Sequence, residues 1–191
     1  MNIKDIIMHN KKTIGLRPAL LTAFILLIPL VAMQFTDEMN WTLFDFIIMG
    51  VLVFGTGFTY ELVTRRSANN TYRVAVGVAA VTGFLLIWVN LAVGIIGSED
   101  NPVNLMYFGV LAVGIIGAIF ARLRPRGMVW VMMVMAIAQM SVPVIALITA
   151  KLAVTMEPPG IVGVFALNGF FAILFAISAL LFCCASVPDP T

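Results

Sequence analysis

Charged residues are scarce in this sequence. Only 10% of the 191 residues are Asp, Glu, Lys or Arg, whereas 62% are apolar. Soluble globular proteins have about 25% charged and about 45–50% apolar residues. A soluble domain of this length has no core large enough to bury so much apolar surface, whereas lipid accommodates it. The composition predicts an integral membrane protein, and the net charge of +2 is too small to indicate nucleic-acid binding.

Histidine and cysteine are also nearly absent. The only histidine is His9, which excludes a bis-histidine haem or a histidine-based zinc site within one chain. Cys183 and Cys184 are sequence neighbours, so a disulfide between them would be strained. The sequence also lacks a Walker A loop and the HExxH, GxSxG and SxxK signatures. We therefore expect no enzymatic activity, no cofactor and no metal site.

Six apolar stretches are long enough to cross a bilayer as helices, which takes about 20 residues. They cover residues 18–35, 41–63, 72–97, 102–123, 127–150 and 160–185. The connections are short, so successive helices should pack as antiparallel hairpins. We predict an all-α integral membrane bundle of six transmembrane helices, with one transmembrane domain over residues 18–185 and a cytoplasmic tail over residues 186–191.

Almost all basic residues lie before the first stretch, or within or beside every second connection between the stretches. One side of the membrane receives Lys4, Lys11, Lys12, Arg17, Arg65, Arg66, Arg73, Arg122, Arg124 and Arg126, and the other receives only Lys151. Cytoplasmic loops are enriched in Lys and Arg, so both termini are predicted to be cytoplasmic. The run of residues 122–126 is most simply such a topology signal. Binding of anionic lipid headgroups is a second interpretation of it.

Residues 1–17 form a cytoplasmic segment before the first predicted span. Ile3, Ile6, Ile7 and Ile14 share one helical stripe, and the charged residues lie elsewhere. This pattern favours an amphipathic helix that lies on the membrane surface. A disordered basic tail is the alternative.

A few polar side chains interrupt the apolar spans. They are Asp45, Asn90, Gln139 and Asn168, with Tyr107 as a further member, and all fall in the predicted outer half or the midplane. Polar groups in lipid are expensive and usually face the bundle interior. One interpretation is a polar cavity that binds a solute or ion. The other is structural: amides often hydrogen-bond between helices, and Asp45 stands near the start of its helix.

A cluster of polar residues lies between the third and fourth spans. We expect the outer acidic turn of Glu99, Asp100 and Asn101 to start the fourth helix, because Asn101 before Pro102 suits an N-cap followed by a first-turn proline. Ion or partner binding by this turn is the alternative.

The heptapeptide LAVGIIG occurs twice, at residues 91–97 and 111–117. The two copies fall at different predicted depths, so they do not indicate transporter symmetry, and we interpret their glycines as sites of close helix packing. The stretch Leu86–Arg126, and above all NLAVGIIGSEDNP at residues 90–102, resembles a group of small multi-pass bacterial inner-membrane proteins without an assigned activity. The resemblance implies a location in the bacterial plasma membrane.

The favoured functional hypothesis is a non-catalytic accessory, assembly or sensory component of a membrane complex. The alternative is a small transporter, or a solute- or lipid-binding protein, that uses the polar cavity. The expected partners are the lipid bilayer and either a second copy of the chain or another membrane protein, with no nucleic acid.

Overall fold

The computed structural model describes residues 14–36, 40–65, 67–98, 100–149 and 158–187, and these residues form helices and connecting turns without a strand. The described part contains six α-helices, and a 3₁₀ helix at Pro102–Leu105 leads directly into the fourth. They are α1 (Leu16–Ala32), α2 (Leu43–Thr64), α3 (Asn70–Ala92), α4 (Met106–Phe120), α5 (Pro125–Thr149) and α6 (Gly160–Ala185). The predicted all-α fold is confirmed.

Five of these helices, counting Pro102–Phe120 as one span, are long and apolar enough to cross a membrane. The helix α1 is apolar but shorter, with 17 residues and a length of about 25 Å at 1.5 Å per residue. That length is at the lower end of the range for a span. The chain is therefore a multi-pass membrane protein. The predicted surface helix falls mostly on residues 1–13, which lie outside the described residues, as do residues 188–191 of the tail.

The contacts divide the chain into two compact units, Met1–Arg66 and Ser67–Thr191. In the first unit, α1 packs against α2, and a Cβ placed on Gly57 would lie 3.0 Å from Pro18 Cβ. The Glu61 carboxylate accepts a hydrogen bond from the Gly15 amide at 3.1 Å and pairs with Arg65. This carboxylate fixes the start of α1 to the end of α2. The single domain over residues 18–185 stays a prediction.

In the second unit, α6 packs on both α5 and α3, and α4 packs on α5. Tyr72, near the start of α3, donates its hydroxyl to the Leu123 carbonyl after α4 at 2.8 Å. Its ring lies 5.4 Å from that of Phe182, near the end of α6. These contacts bring the start of α3 and the ends of α4 and α6 together, so α3 runs antiparallel to both α4 and α6.

The two LAVGIIG copies have different structures. Residues 111–117 are helical throughout, within α4. In the first copy α3 ends at Ala92, and Gly94 and Gly97 adopt φ values of 69° and 66°, in the left-handed region that favours glycine. The predicted last residue of the third span, Gly97, is therefore wrong by five residues. The predicted last residues of the other five spans agree with the structure within three residues.

The prediction of close helix packing is confirmed for the glycines of the second copy, whereas Gly94 and Gly97 of the first copy lie after the end of α3. A Cβ on Gly117 would lie 2.9 Å and 3.0 Å from the two γ-carbons of Val131 on α5. A Cβ on Gly114 would lie 2.5 Å from the Met135 sulfur. Both approaches are closer than real Cβ atoms normally tolerate, so α4 and α5 meet at these glycines.

We expect Gly117→Ala to lower the free energy of unfolding by about 2 kcal/mol, because the branched Val131 side chain has little freedom to move away. Gly109→Ala, on the same helix with no atom within 4 Å of the new Cβ, is the matched control. It should leave stability unchanged or raise it, because alanine has the higher helix propensity. Equilibrium unfolding in mixed micelles measures both, and equal effects would contradict the α4–α5 packing.

A buried polar layer as the candidate site

Asn168 on α6 is the centre of a buried hydrogen-bond network. Its Nδ2 donates to the Tyr107 hydroxyl on α4 at 3.0 Å and to the Val164 carbonyl at 2.8 Å. Its Oδ1 accepts from Gln139 Nε2 on α5 at 3.0 Å. Tyr107 is 1% exposed, and Gln139 and Asn168 are fully buried. The structure thus brings three of the five predicted residues into direct contact and joins three helices through them.

Gln139 also holds an acceptor that the network does not use. Its Oε1 is buried and has no hydrogen-bond partner within the described ranges. Four residues later, Pro143 lies inside α5 and lacks the amide that would otherwise bond to the Gln139 carbonyl. Hydrogen-bond acceptors therefore outnumber donors at this point of α5.

Asn90 has a different partner. Its Nδ2 donates to the Asn104 carbonyl at 3.4 Å, at the start of the fourth span, and its Oδ1 is buried without a partner in the part of the chain described. The sequence analysis placed Asn90 seven residues before the end of the third span at Gly97. It lies only two residues before the end of α3.

Asn104 is the polar residue that the sequence analysis missed. Its Oδ1 accepts from the amides of Ile95 and Ile96 at 3.3 Å and 3.0 Å. Its Nδ2 donates to the carbonyls of Ile96 and Ser98 at 3.2 Å and 2.8 Å. Both isoleucines are fully buried, so this non-helical backbone needs internal donors and acceptors. A primary amide supplies both kinds. No local signal in the sequence identified this turn, because the same Gly-Ile-Ile-Gly pattern is helical at residues 114–117.

Asp45 belongs to the first unit and takes part in a capping box. Its carboxylate accepts from the Thr42 amide at 2.7 Å and from the Thr42 hydroxyl at 2.8 Å. The Thr42 hydroxyl in turn accepts from the Asp45 amide at 3.4 Å, at the start of α2. The carboxylate thus stabilises a helix N-terminus, which is the structural alternative considered for it.

The turn after α3 contains the predicted N-cap. Asn101 Oδ1 accepts from the Val103 amide at 3.1 Å, and Pro102 occupies the first turn of the 3₁₀ helix. Asp100 is exposed, and Glu99 lies outside the described residues. The N-cap is confirmed, whereas ion or partner binding by this turn stays a prediction. Among the residues that the structure describes, no three His, Cys, Asp or Glu side chains group together.

The buried polar layer of the second unit consists of neutral side chains, namely Asn90, Asn104, Tyr107, Gln139 and Asn168. Tyrosine and amide groups form hydrogen bonds between helices, which in membranes contribute about 0.6–2 kcal/mol each. The layer can hold α4, α5 and α6 in one arrangement, and it leaves the acceptors of Asn90 and Gln139 available. No protein-family model, curated protein or solved structure matches the chain.

Proposed function

We propose that this multi-pass protein is a non-catalytic accessory, assembly or sensory component of a complex in the bacterial plasma membrane. The proposal rests on the hydrogen bonds of the Asn168 side chain. Both of its donor hydrogens and its oxygen are engaged by Tyr107, Val164 and Gln139. A side chain whose polar atoms all bond to neighbouring residues stabilises the helix bundle. It has no polar hydrogen left to bind a cargo.

Thiol accessibility tests whether the layer is closed to water. In a Cys183→Ser/Cys184→Ser background, Asn90→Cys and Gln139→Cys are treated in native membranes with a membrane-impermeant maleimide. The proposal predicts no labelling at either position, because both side chains are buried. Ser98→Cys, at an exposed position in the turn after α3, is the control that should react. Labelling of both buried positions would contradict a closed layer.

The size of the native assembly tests the role in a complex. The protein, tagged and expressed at its natural level, is extracted in polymer-bounded lipid particles and weighed by native mass spectrometry. We expect one mass with a fixed stoichiometry that includes a second chain. A monomer as the only species would contradict an accessory or assembly role. Tyr107→Phe, which removes a single hydroxyl from the layer, should leave the assembly intact.

A solute-binding protein or small transporter is the second candidate. The observation that favours it is the pair of buried acceptors, Asn90 Oδ1 and Gln139 Oε1, which have no partner among the described residues. Unpaired buried acceptors are rare, because each costs about 1–3 kcal/mol, and a donor-bearing solute would satisfy them. Labelling of Asn90→Cys and Gln139→Cys, together with a monomeric mass, would favour this candidate over the first.

A further inference from the structure

The connection between α4 and α5 is a tightly held turn. Arg122 and Leu123 have φ values of 52° and 57°, a left-handed conformation that residues with a Cβ seldom adopt. The Leu123 amide donates to the Ala118 carbonyl at 3.1 Å, and the Leu123 carbonyl accepts from the Tyr72 hydroxyl at 2.8 Å. A Cβ on Gly127 would lie 2.8 Å from Ala121 Cβ, so α5 starts directly against the turn.

This turn presents a cluster of arginines. Arg122, Arg124 and Arg126 are exposed, and exposed Arg73 follows Tyr72, whose hydroxyl binds the turn. No ion pair joins these four arginines to an acidic side chain within the described ranges. Asp100, the one acidic residue described in this unit, lies in the connection at the other end of α3 and α4. The positive charge of the cluster is therefore not neutralised by the described part of the chain.

Large apolar side chains adjoin the arginines. Phe120, at the end of α4, is 83% exposed, and Trp130, one helical turn after Arg126 on α5, is 74% exposed. Exposed tryptophans near span ends sit at the level of the lipid headgroups, and arginine stems extend along apolar surface toward the same level. The cluster thus combines guanidinium groups with neighbouring surface for acyl chains.

We propose that Arg73, Arg122, Arg124 and Arg126 form a binding site for the phosphate headgroup of an anionic phospholipid. Guanidinium groups bind phosphate oxygens through two parallel hydrogen bonds, and a phosphate shared by several arginines neutralises their mutual repulsion. A topology signal requires only the number of positive charges. This turn also fixes where they stand, through the Tyr72 hydroxyl and the contact at Gly127. The adjoining Phe120 and Trp130 favour a lipid over free phosphate.

The test compares phosphatidylglycerol with phosphatidylcholine on the purified full-length chain in detergent micelles. Native mass spectrometry measures the affinity for each lipid. We expect wild-type protein to prefer phosphatidylglycerol, and Arg122→Gln/Arg124→Gln/Arg126→Gln to weaken its binding about fivefold for each arginine removed. Arg17→Gln removes one exposed arginine of the first unit. It is the control for loss of a positive charge outside the cluster and should have no effect on this preference.

Tyr72→Phe provides a second test that leaves the charge unchanged. It removes the hydrogen bond to the Leu123 carbonyl, so we expect weaker phosphatidylglycerol binding with unchanged phosphatidylcholine binding. The proposal is overturned if the triple variant keeps the wild-type preference, or if Arg17→Gln reduces it as much as one cluster arginine does. It is also overturned if inorganic phosphate displaces the lipid at equal concentration, since the site would then bind free anions.

Discussion

Replacing Asn104 by alanine is expected to lower the free energy of unfolding by about 3 kcal/mol. The Asn104 amide forms hydrogen bonds with the Ile95 and Ile96 amides and with the Ile96 and Ser98 carbonyls. The substitution leaves buried backbone groups unpaired. The first unpaired group costs about 1–3 kcal/mol, and each further group costs less because it relaxes toward water. Equilibrium unfolding in mixed micelles measures the loss, and hydrogen exchange should accelerate at the Ile95 and Ile96 amides.

Asn101→Ala is the matched control for this experiment. Asn101 is the same residue type in the same connection, but its side chain caps only the Val103 amide at 3.1 Å. Loss of a cap costs about 1 kcal/mol. Equal destabilisation by Asn101→Ala and Asn104→Ala would show that the Asn104 side chain does not hold the buried turn.

Asn168→Ala is expected to lower the free energy of unfolding by about 2 kcal/mol. The substitution removes the hydrogen bonds to Tyr107, Gln139 and Val164. The bonds to Tyr107 and Gln139 join different helices, and such bonds in membranes average about 0.6 kcal/mol and reach about 1.7 kcal/mol. Loss of both, together with the bond to Val164 within α6, gives the expected total. Resistance to unfolding in sodium dodecyl sulfate, measured across a titration, provides the value.

Ile173→Ala on the same helix is the control for Asn168→Ala. Ile173 is 61% exposed, so lipid fills the space that its side chain leaves. Surface substitutions of this kind change stability by about 0.5 kcal/mol or less. If Asn168→Ala cost no more than Ile173→Ala, the buried network would contribute nothing to stability.

Hydropathy was sufficient to predict the six helices, because lipid requires long apolar segments whose backbone is satisfied internally. It failed at the end of α3, where residues 93–97 are as apolar as the helix before them. The same heptapeptide is helical throughout at residues 111–117, whereas at residues 91–97 it leaves the helix after Ala92. The Asn104 side chain, which lies outside the heptapeptide, fixes the conformation of its first copy. The hydropathy of the heptapeptide itself contains no information about that contact.

Only part of the membership of the candidate site was predictable. Depth along the spans singled out Gln139, Asn168 and Tyr107 as polar groups that avoid lipid. Their pairing depends on how α4, α5 and α6 are rotated about their axes, which follows from contacts such as Gly117 against Val131. Asn90 lies closer to a helix end than expected, because the predicted end of α3 was wrong.

The central claim is that buried side-chain amides hold neighbouring helices of the second unit together. A double-mutant cycle on Gln139→Leu and Asn168→Leu measures this directly, through the unfolding free energies of wild type, both single variants and the double variant. A direct hydrogen bond at 3.0 Å predicts a coupling energy of about 1 kcal/mol. Additive single effects, with a coupling energy near zero, would contradict the account.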